Sequence, residues 1–149
     1  MTQLAIIVGS VYGGAADLAA QIQEKAQDKS IEVSIFDDAT LQQVTDFTTE
    51  HWLVVTSTTG QGDLPPNIEG FYHQLNDTFP MLSDTKAAVL ALGDSSYGET
   101  FCGAGTLMAN LLDELGCQQL MPALHIDACE HFEAINGARE WIDDLLAQL

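Results

Sequence analysis

Short apolar runs alternate with helical periodicity along the chain. Continuous apolar runs within residues 4–8, 51–57 and 87–92 predict strands that are buried on both faces of a sheet. Between these runs and after the last one, apolar residues recur at three- and four-residue spacing, which predicts helices with one buried face. The helical positions are Ala15, Leu18, Ala19, Ile22 and Ala26; Ile68, Phe71, Tyr72 and Leu75; Leu107, Met108, Leu111, Leu112 and Leu115; and Ile135, Ala138, Ile142, Leu145, Leu146 and Leu149.

Two further strands have the pattern of sheet edges. Ile31, Val33 and Ile35 alternate with polar residues, as in a half-exposed strand. Residues 120–126 predict a fifth strand, and Pro122 favours an edge position for it because proline cannot donate a hydrogen bond to a central ladder. Both features restrict the order in which the strands can lie.

Strands that alternate with helices predict parallel pairing through right-handed crossovers. The order 2-1-3-4-5 places both of the edge-like strands at edges. We therefore expect an α/β fold: a flavodoxin-like, doubly wound sheet of five parallel strands, with helices on both faces and a ligand crevice between strands 1 and 3. Residues 37–50 predict one short helix or a loop. The length of 149 residues fits a single domain over residues 1–149.

The charge balance restricts the partners. Twenty-two acidic residues against four basic ones give a formal net charge of −18, and 46% apolar residues exclude a disordered chain. Nucleic acid and anionic membranes are disfavoured because either needs a basic face. A basic protein partner is the natural interpretation, and solubility alone is the alternative. The chain has no bilayer-length apolar run and no basic leader before an apolar segment, so we expect a cytoplasmic protein.

The cysteines and histidines predict no metal site. Cys102, Cys117 and Cys129 are an odd number without C-x-x-C spacing, which argues against a disulfide framework and against zinc or iron–sulfur ligation. We expect Cys117 and Cys129 to be buried structural thiols. We also expect the four histidines to be ordinary core or surface residues, without a carboxylate partner one helical turn away; they are His51, His73, His125 and His131.

Residues 9–15 form a glycine-rich loop between the first strand and the first helix. Such a loop aims backbone N–H groups at one point above a helix N-terminus, which predicts a phosphate cradle; a plain tight turn is the alternative. The loop matches neither G-x-x-x-x-G-K-[ST] nor G-x-G-x-x-G, which disfavours nucleoside triphosphate hydrolysis and dinucleotide binding. Neither this loop nor the loops after strands 3 and 4 contain Lys or Arg, so only amides, hydroxyls and the helix dipole would balance a bound phosphate.

The other two loops carry a resemblance to a known family. The phrase S-T-T-G-Q-G-D-L-P at residues 57–65 resembles the second FMN loop of bacterial short-chain flavodoxins, most closely the MioC-like type and the FMN modules of diflavin reductases. The phrase G-D-S-S-Y-x-x-x-F-C-G-A at residues 93–104 is similar to the loop that flanks the isoalloxazine ring in flavodoxins. The resemblance covers nearly the whole chain, and it implies a flavodoxin-like fold with FMN as the cofactor.

The resemblance implies roles for individual residues. Tyr97 would stack on the outer face of the flavin, and Asp94, Phe101 and Cys102 would line its edge. The peptide of Gly60 would flip when the ring takes up one electron, so that its carbonyl accepts a hydrogen bond from the flavin N5–H. The predicted FMN-binding residues are Ser10, Val11, Tyr12, Gly13, Gly14, Ala15, Ser57, Thr58, Thr59, Gly60, Gln61, Leu92, Gly93, Asp94, Tyr97, Phe101 and Cys102.

The chain departs from the family pattern at four positions. Tyr12 and Ala15 replace hydroxyl residues of the phosphate loop, Gly14 replaces the usual Asn, and Thr59 stands where an aromatic often covers the inner flavin face. These differences imply weaker FMN binding than in a long-chain flavodoxin. The inserted segment that marks long-chain members is also missing within residues 120–126.

The sequence thus predicts a monomeric, FMN-binding, low-potential single-electron carrier that is not an enzyme. Its partners would be a basic-faced NAD(P)H-dependent flavodoxin/ferredoxin reductase and client redox enzymes, which would dock on acidic rims around Asp63, Glu69 and Glu99. Two alternatives stay open. One is an NAD(P)H-dependent flavin enzyme, such as a quinone or nitro reductase. The other is a flavodoxin-like interaction module without a cofactor.

Overall fold

The computed structural model describes residues 2–11, 13–59, 62–131 and 133–149, without the side chains of Tyr97, Glu99 and Thr100. The strands are β1 (Gln3–Gly9), β2 (Glu32–Asp37), β3 (His51–Thr56), β4 (Lys86–Gly93), β5 (Gln118–Gln119) and β6 (Leu124–Asp127). The helices are α1 (Gly14–Gln27), α2 (Leu41–Asp46), α3 (Pro66–Thr78), α4 (Gly103–Glu114) and α5 (Ala134–Ala147), with a 3-10 helix at Ser95–Thr100.

The strands form one parallel sheet in the order β2-β1-β3-β4-β5, and β6 also pairs with β4. This order confirms the predicted topology. The register aligns Gly9 with Thr56 and Gly93 with Asp127, so β1, β3, β4 and β6 end at the same edge of the sheet. The loops that follow these strands are therefore neighbours in space, although they are far apart in sequence.

The prediction of a continuous fifth strand over residues 120–126 is wrong. Two short strands, β5 and β6, pair with β4 in succession, and Pro122 lies between them. Proline has no amide hydrogen, so the ladder breaks there and resumes at Leu124. The edge location that Pro122 predicted is confirmed.

The sheet separates two apolar layers. In β1 the fully buried Leu4, Ile6 and Val8 belong to the layer with α1 and α5, whereas the fully buried Ala5 and Ile7 belong to the layer with α3 and α4. Successive strand residues point to opposite faces, so a strand covered on both sides needs a continuous apolar run. The apolar pattern of β1 follows directly from this arrangement.

The helix predictions hold with one exception and one addition. Leu107, expected on the buried face of α4, is 40% exposed, whereas its neighbour Met108 is fully buried. The 3-10 helix was not predicted; its helical angles are interrupted at Gly98, where φ is 63°. Among the described residues, no helix has both the length and the apolar character needed to cross a bilayer.

Candidate functional site

Two cavities meet where the sheet ends. The larger has a volume of about 980 Å³ and runs from the first loop (residues 9–15) towards α3 and α4. The smaller, of about 220 Å³, lies against the third loop (residues 93–104); the second loop (residues 57–65) lies between them. Ser57, Thr58 and Thr59 line both cavities. The second loop thus forms the boundary between a region beside α1 and a slot beside the end of β4.

The first loop presents an uncapped helix N-terminus. Helix α1 follows Gly13, whose φ of 88° is left-handed, and among the described residues no side chain caps its first amides. The first intrahelical bond runs from the Asp17 amide to the Gly13 carbonyl, so the amides of Gly14, Ala15 and Ala16 have no partner inside the helix. A Cβ at Gly13 or Gly14 would meet no atom within 4 Å, so the space around these two positions is open.

Ser10 is held from two sides. Its hydroxyl oxygen accepts a hydrogen bond from the Gly13 amide at 2.9 Å, which closes the turn. Its own amide donates to Oδ1 of Asn67 in α3 at 2.8 Å. The amide of Ser10 is therefore already used by a side chain, whereas the resemblance assigns its hydroxyl to the cofactor.

The second loop is tied to the first loop and to α4. The Ser57 amide donates to the Gly9 carbonyl at 2.8 Å, and the Thr59 amide and hydroxyl both donate to the Asp63 carbonyl. The hydroxyl oxygen of Thr58 accepts a long hydrogen bond from the Ala104 amide, at 3.4 Å. These contacts keep the hydroxyls of the loop at the rim of both cavities.

Carboxylates fasten the third loop. Oδ1 of Asp94 accepts from the Ser96 amide at 2.8 Å and from the Ser96 hydroxyl at 2.6 Å. Oδ1 of Asp127, at the end of β6, accepts from the Ser95 amide at 3.0 Å and from the Cys129 amide at 2.9 Å. The backbone immediately before Tyr97 is thus bonded both to its own loop and to the turn after β6.

These hydrogen bonds change the acidity of the groups that make them. Bonds from the Ser96 hydroxyl and the Cys129 thiol lower the pKa of Asp94, and bonds from the Ser95 side chain and amide lower the pKa of Asp127. The bond from Cys129 Sγ to Asp94 Oδ1, at 3.1 Å, raises the pKa of that thiol. Burial raises the pKa of Cys102 to about 11, and the charge of Asp127 adds to this effect.

Two expectations about single residues are wrong. Cys129 is exposed rather than buried, because it lies in the turn after β6 and not in an element that packs on the core. His73 does have a carboxylate one helical turn away: its Nε2 lies 3.5 Å from Glu69 Oε1 on the exposed side of α3, and both residues line the larger cavity. Cys117 is half-buried.

The structure brings most of the predicted binding residues to the two cavities. Tyr12, Gly60 and Gln61 lie outside the described residues, as does the side chain of Tyr97. Ala15 is fully buried and lines neither cavity. The predicted residues that line the cavities are Ser10, Val11, Gly14, Ser57, Thr58, Thr59, Leu92, Gly93, Asp94, Phe101 and Cys102.

Sequence reasoning missed Asn67, Asp127 and Cys129. Asp127 ends a strand, so the rule that ligands lie at the carboxyl ends of parallel strands could have identified it. Asn67 lies in the first turn of α3, and nothing in its local pattern indicates a contact with Ser10, 57 residues earlier. Cys129 joins the two carboxylates, with its amide on Asp127 and its thiol on Asp94.

The residues present fit FMN. The open N-terminus of α1 supplies amide donors for a phosphate, and the neighbouring slot, lined by Thr59, Asp94 and Phe101, is small and mostly apolar, as a flat ring requires. Neutral amides and hydroxyls make up this donor set.

Comparison with known proteins agrees with the geometry. The sequence model of the Flavodoxin family matches residues 6–141. Flavodoxin YqcA of Pectobacterium carotovorum is 41% identical over 96% of this chain and 94% of its own length, and the MioC homologue of Pasteurella multocida is 34% identical over 99% of both chains. A solved structure of a cysteine-to-serine mutant of flavodoxin from Pseudomonas aeruginosa superposes with a TM-score of 0.93, at 38% identity over 99% of both chains. The chain belongs to the flavodoxin family.

Proposed function

We propose that this chain binds FMN and carries single electrons between a basic NAD(P)H-dependent reductase and client redox enzymes. The observation that carries the proposal is the continuous site formed by three loops at one edge of the sheet. The uncapped N-terminus of α1 lies at one end of this site, and the narrow slot lies at the other end. Ser57 to Thr59 line both the larger cavity and the slot. Bound FMN supplies the one-electron chemistry.

The first two loops would hold the phosphate and the ribityl chain. The amides of Gly14 and Ala16, which have no partner inside the helix, would donate to phosphate oxygens, with the positive end of the α1 dipole behind them. The hydroxyls of Ser10, Ser57 and Thr58 would complete the donor set. Because no described side chain caps α1, a bound phosphate would satisfy amides at its start that have no partner inside the helix.

The third loop would hold the ring. Tyr97 would stack on the outer face, while Thr59, Phe101 and Cys102 would close the slot around the ring edge. Gly93 allows this closure: a Cβ there would lie 2.9 Å from both the amide nitrogen and Sγ of Cys102. The close approach of the end of β4 to the start of α4 leaves a narrow slot rather than a wide cavity.

The charge around the site would lower the potential of the bound cofactor. Asp63 and Glu69 line the larger cavity and Asp94 lines the smaller one, while the three loops contain no Lys or Arg. Two unit charges about 10 Å apart at an effective dielectric of about 20 repel by roughly 1.7 kcal/mol, which is about 70 mV for one electron. Adding an electron beside these acids is therefore unfavourable.

The same acids would guide the partners. A net charge of −18 steers a basic reductase towards the chain, and Asp63 and Glu69 lie beside the exposed apolar residues Val11 and Leu107 on the larger cavity. We expect Asp63→Lys and Glu69→Lys to slow reduction by such a reductase at low salt, and the difference to shrink as salt is added. Asp84→Lys, just before β4 and away from the site, is the matched control.

The experiment that tests the proposal is an FMN titration followed by reduction. The apo chain should bind one FMN per chain with quenched flavin emission. The loaded chain should be bleached by NADPH only when the reductase is also present. Bleaching by NADPH alone would favour the flavin-enzyme alternative, and failure of the folded chain to bind FMN would favour the interaction module. Either result would overturn the electron-carrier function.

A further inference from the structure

Asn67 joins three segments that are distant in sequence. Its Oδ1 accepts a hydrogen bond from the Ser10 amide at 2.8 Å, and its Nδ2 donates to Oδ1 of Asp37, the last residue of β2, at 2.6 Å. Asn67 is half-buried in the first turn of α3, directly after the second loop. One side chain thus connects the first loop, the end of the edge strand and the helix that follows the second loop.

Asp37 determines which way the Asn67 amide faces. An ionised carboxylate can only accept hydrogen bonds, so it selects the orientation of Asn67 in which Nδ2 points to Asp37 and Oδ1 points to Ser10. The reverse orientation would place two oxygens against each other and two N–H donors against each other. The acceptor for the Ser10 amide is therefore fixed by a residue on another strand.

Fixing Ser10 fixes the first loop. With its amide bonded to Asn67, Ser10 directs its hydroxyl oxygen to the Gly13 amide, 2.9 Å away, and this turn leads into the uncapped start of α1. Without Asn67 the Ser10 amide would lose its protein acceptor, and the loop would be free to turn that amide elsewhere. The loop is therefore preorganised by α3 as well as by its own bond between Gly13 and Ser10.

We propose that Asn67 is a positioning residue for the phosphate end of the cofactor and that it gives this site its preference for FMN over the unphosphorylated flavin. The inference rests on the proposed function, since it assumes that the first loop receives the phosphate. A displaced first loop would weaken contacts with the phosphate, whereas the ring slot is built by other residues. Loss of Asn67 should therefore affect FMN and riboflavin differently.

The test compares FMN and riboflavin binding by fluorescence titration of apo chains. In Asn67→Ala we expect the FMN dissociation constant to rise by about 10-fold, and that of riboflavin by less than about 2-fold. Gln74→Ala is the matched control: Gln74, also in α3, accepts a hydrogen bond from the Leu41 amide at 2.6 Å but lies away from the first loop. It should leave the ratio of the two constants unchanged.

An exchange of the polar partners keeps the test valid if Asn67→Ala folds poorly. Asn67→Asp places two carboxylates against each other and should lower the FMN preference. The double variant Asn67→Asp/Asp37→Asn lets donor and acceptor exchange sides and keeps the net charge of −18. This variant should recover the preference for FMN over riboflavin. Asp38→Asn removes the adjacent charge alone and should not lower the preference.

The outcomes separate the inference from the proposed function. Equal weakening of FMN and riboflavin in Asn67→Ala, or no recovery in the double variant, would overturn the positioning role while leaving flavin binding intact. Equal affinity of the wild-type chain for both flavins would do the same. A folded wild-type chain that binds neither flavin would overturn the proposed function, and this inference with it.

Discussion

Gly103, the first residue of α4, packs directly against the backbone of Gly62 in the second loop. A Cβ at position 103 would lie 2.8 Å from Gly62 Cα and 2.8 Å from the Gly62 carbonyl oxygen. Gly62 itself has a φ of 79°, which favours glycine. Two glycines thus allow the second loop to rest on the start of the helix that follows the third loop, so the two sides of the ring slot support each other.

Gly103→Ala should lower the free energy of unfolding by about 1–3 kcal/mol, because the added methyl must displace backbone rather than a flexible side chain. Gly70→Ala is the control, since a Cβ at Gly70 in α3 meets no atom within 4 Å. That substitution should raise the free energy of unfolding by about 0.5–1 kcal/mol through helix propensity. Urea unfolding of the apo chains measures both changes, and equal stability of the two variants would contradict the close packing.

Acid should loosen the third loop through Asp94 and Asp127. Hydrogen bonds lower the pKa of both carboxyls below the 3.8 of the unfolded chain. A carboxyl with a lowered folded-state pKa stabilises the fold above its unfolded pKa, and this contribution is lost as the pH falls through the folded value. These two groups therefore stabilise the fold fully at neutral pH, and their contribution is lost as the pH falls below about 3.8.

The measurement is the urea midpoint as a function of pH between about 5 and 2.5. Asp127→Asn should lower stability at pH 5, because the charged acceptor of the Ser95 amide is lost, and should flatten the decline below pH 3.8. Asp84 is an exposed acid just before β4, and Asp84→Asn should show the same slope of stability against pH as the wild-type chain. The role assigned to Asp127 would be wrong if both variants kept that slope.

Cys129 should be the first thiol to be alkylated in the folded apo chain. It is exposed, whereas Cys102 is buried and Cys117 half-buried, and burial raises the pKa of each of these two to about 11. The hydrogen bond to Asp94 raises the pKa of Cys129, so Asp94→Asn should increase its alkylation rate at about pH 8 by increasing the thiolate fraction. Mass spectrometry after iodoacetamide treatment locates the label.

Cys129→Ser should remove the fast-labelling fraction and leave the slow one. Labelling of Cys117 before Cys129 would show that the turn after β6 covers the Cys129 thiol. An unchanged rate in Asp94→Asn would show that the 3.1 Å contact does not govern the acidity of the thiol.

The sheet could be predicted because burial on both faces requires unbroken apolar runs. Residues 4–8 alternate between two separate core layers, and every one of them is apolar. The fifth strand was harder, since Pro122 indicated an edge but not that the ladder would break and resume at Leu124. Leu107 was placed wrongly because α4 borders a cavity, where an apolar side chain can stay exposed.

The loops of the site could be located because parallel strands end at a common edge. The hydrogen bonds that fasten these loops could not be predicted. The contacts from Asn67 to Ser10 and from Asp127 to Ser95 join residues 57 and 32 positions apart, and no local pattern indicates which distant residue each side chain contacts. Such contacts follow from the packed arrangement of the elements, which the sequence specifies only through all of its parts together.

The acids that line the site should govern the potential of bound FMN. Asp63 is exposed and lines the larger cavity, and its backbone carbonyl accepts hydrogen bonds from Thr59. Asp63→Asn therefore removes one negative charge without removing that contact. The midpoint potential of the loaded chain should then rise by tens of mV, on the order of the 70 mV expected for unit charges about 10 Å apart.

Asp84→Asn makes the same change in net charge at the other end of β4 and should shift the potential much less. Redox titration at low and high salt measures both, and the shift in Asp63→Asn should shrink as salt screens an exposed charge. Equal shifts in the two variants would mean that the overall charge of −18, rather than the acids at the cavity, determines the potential.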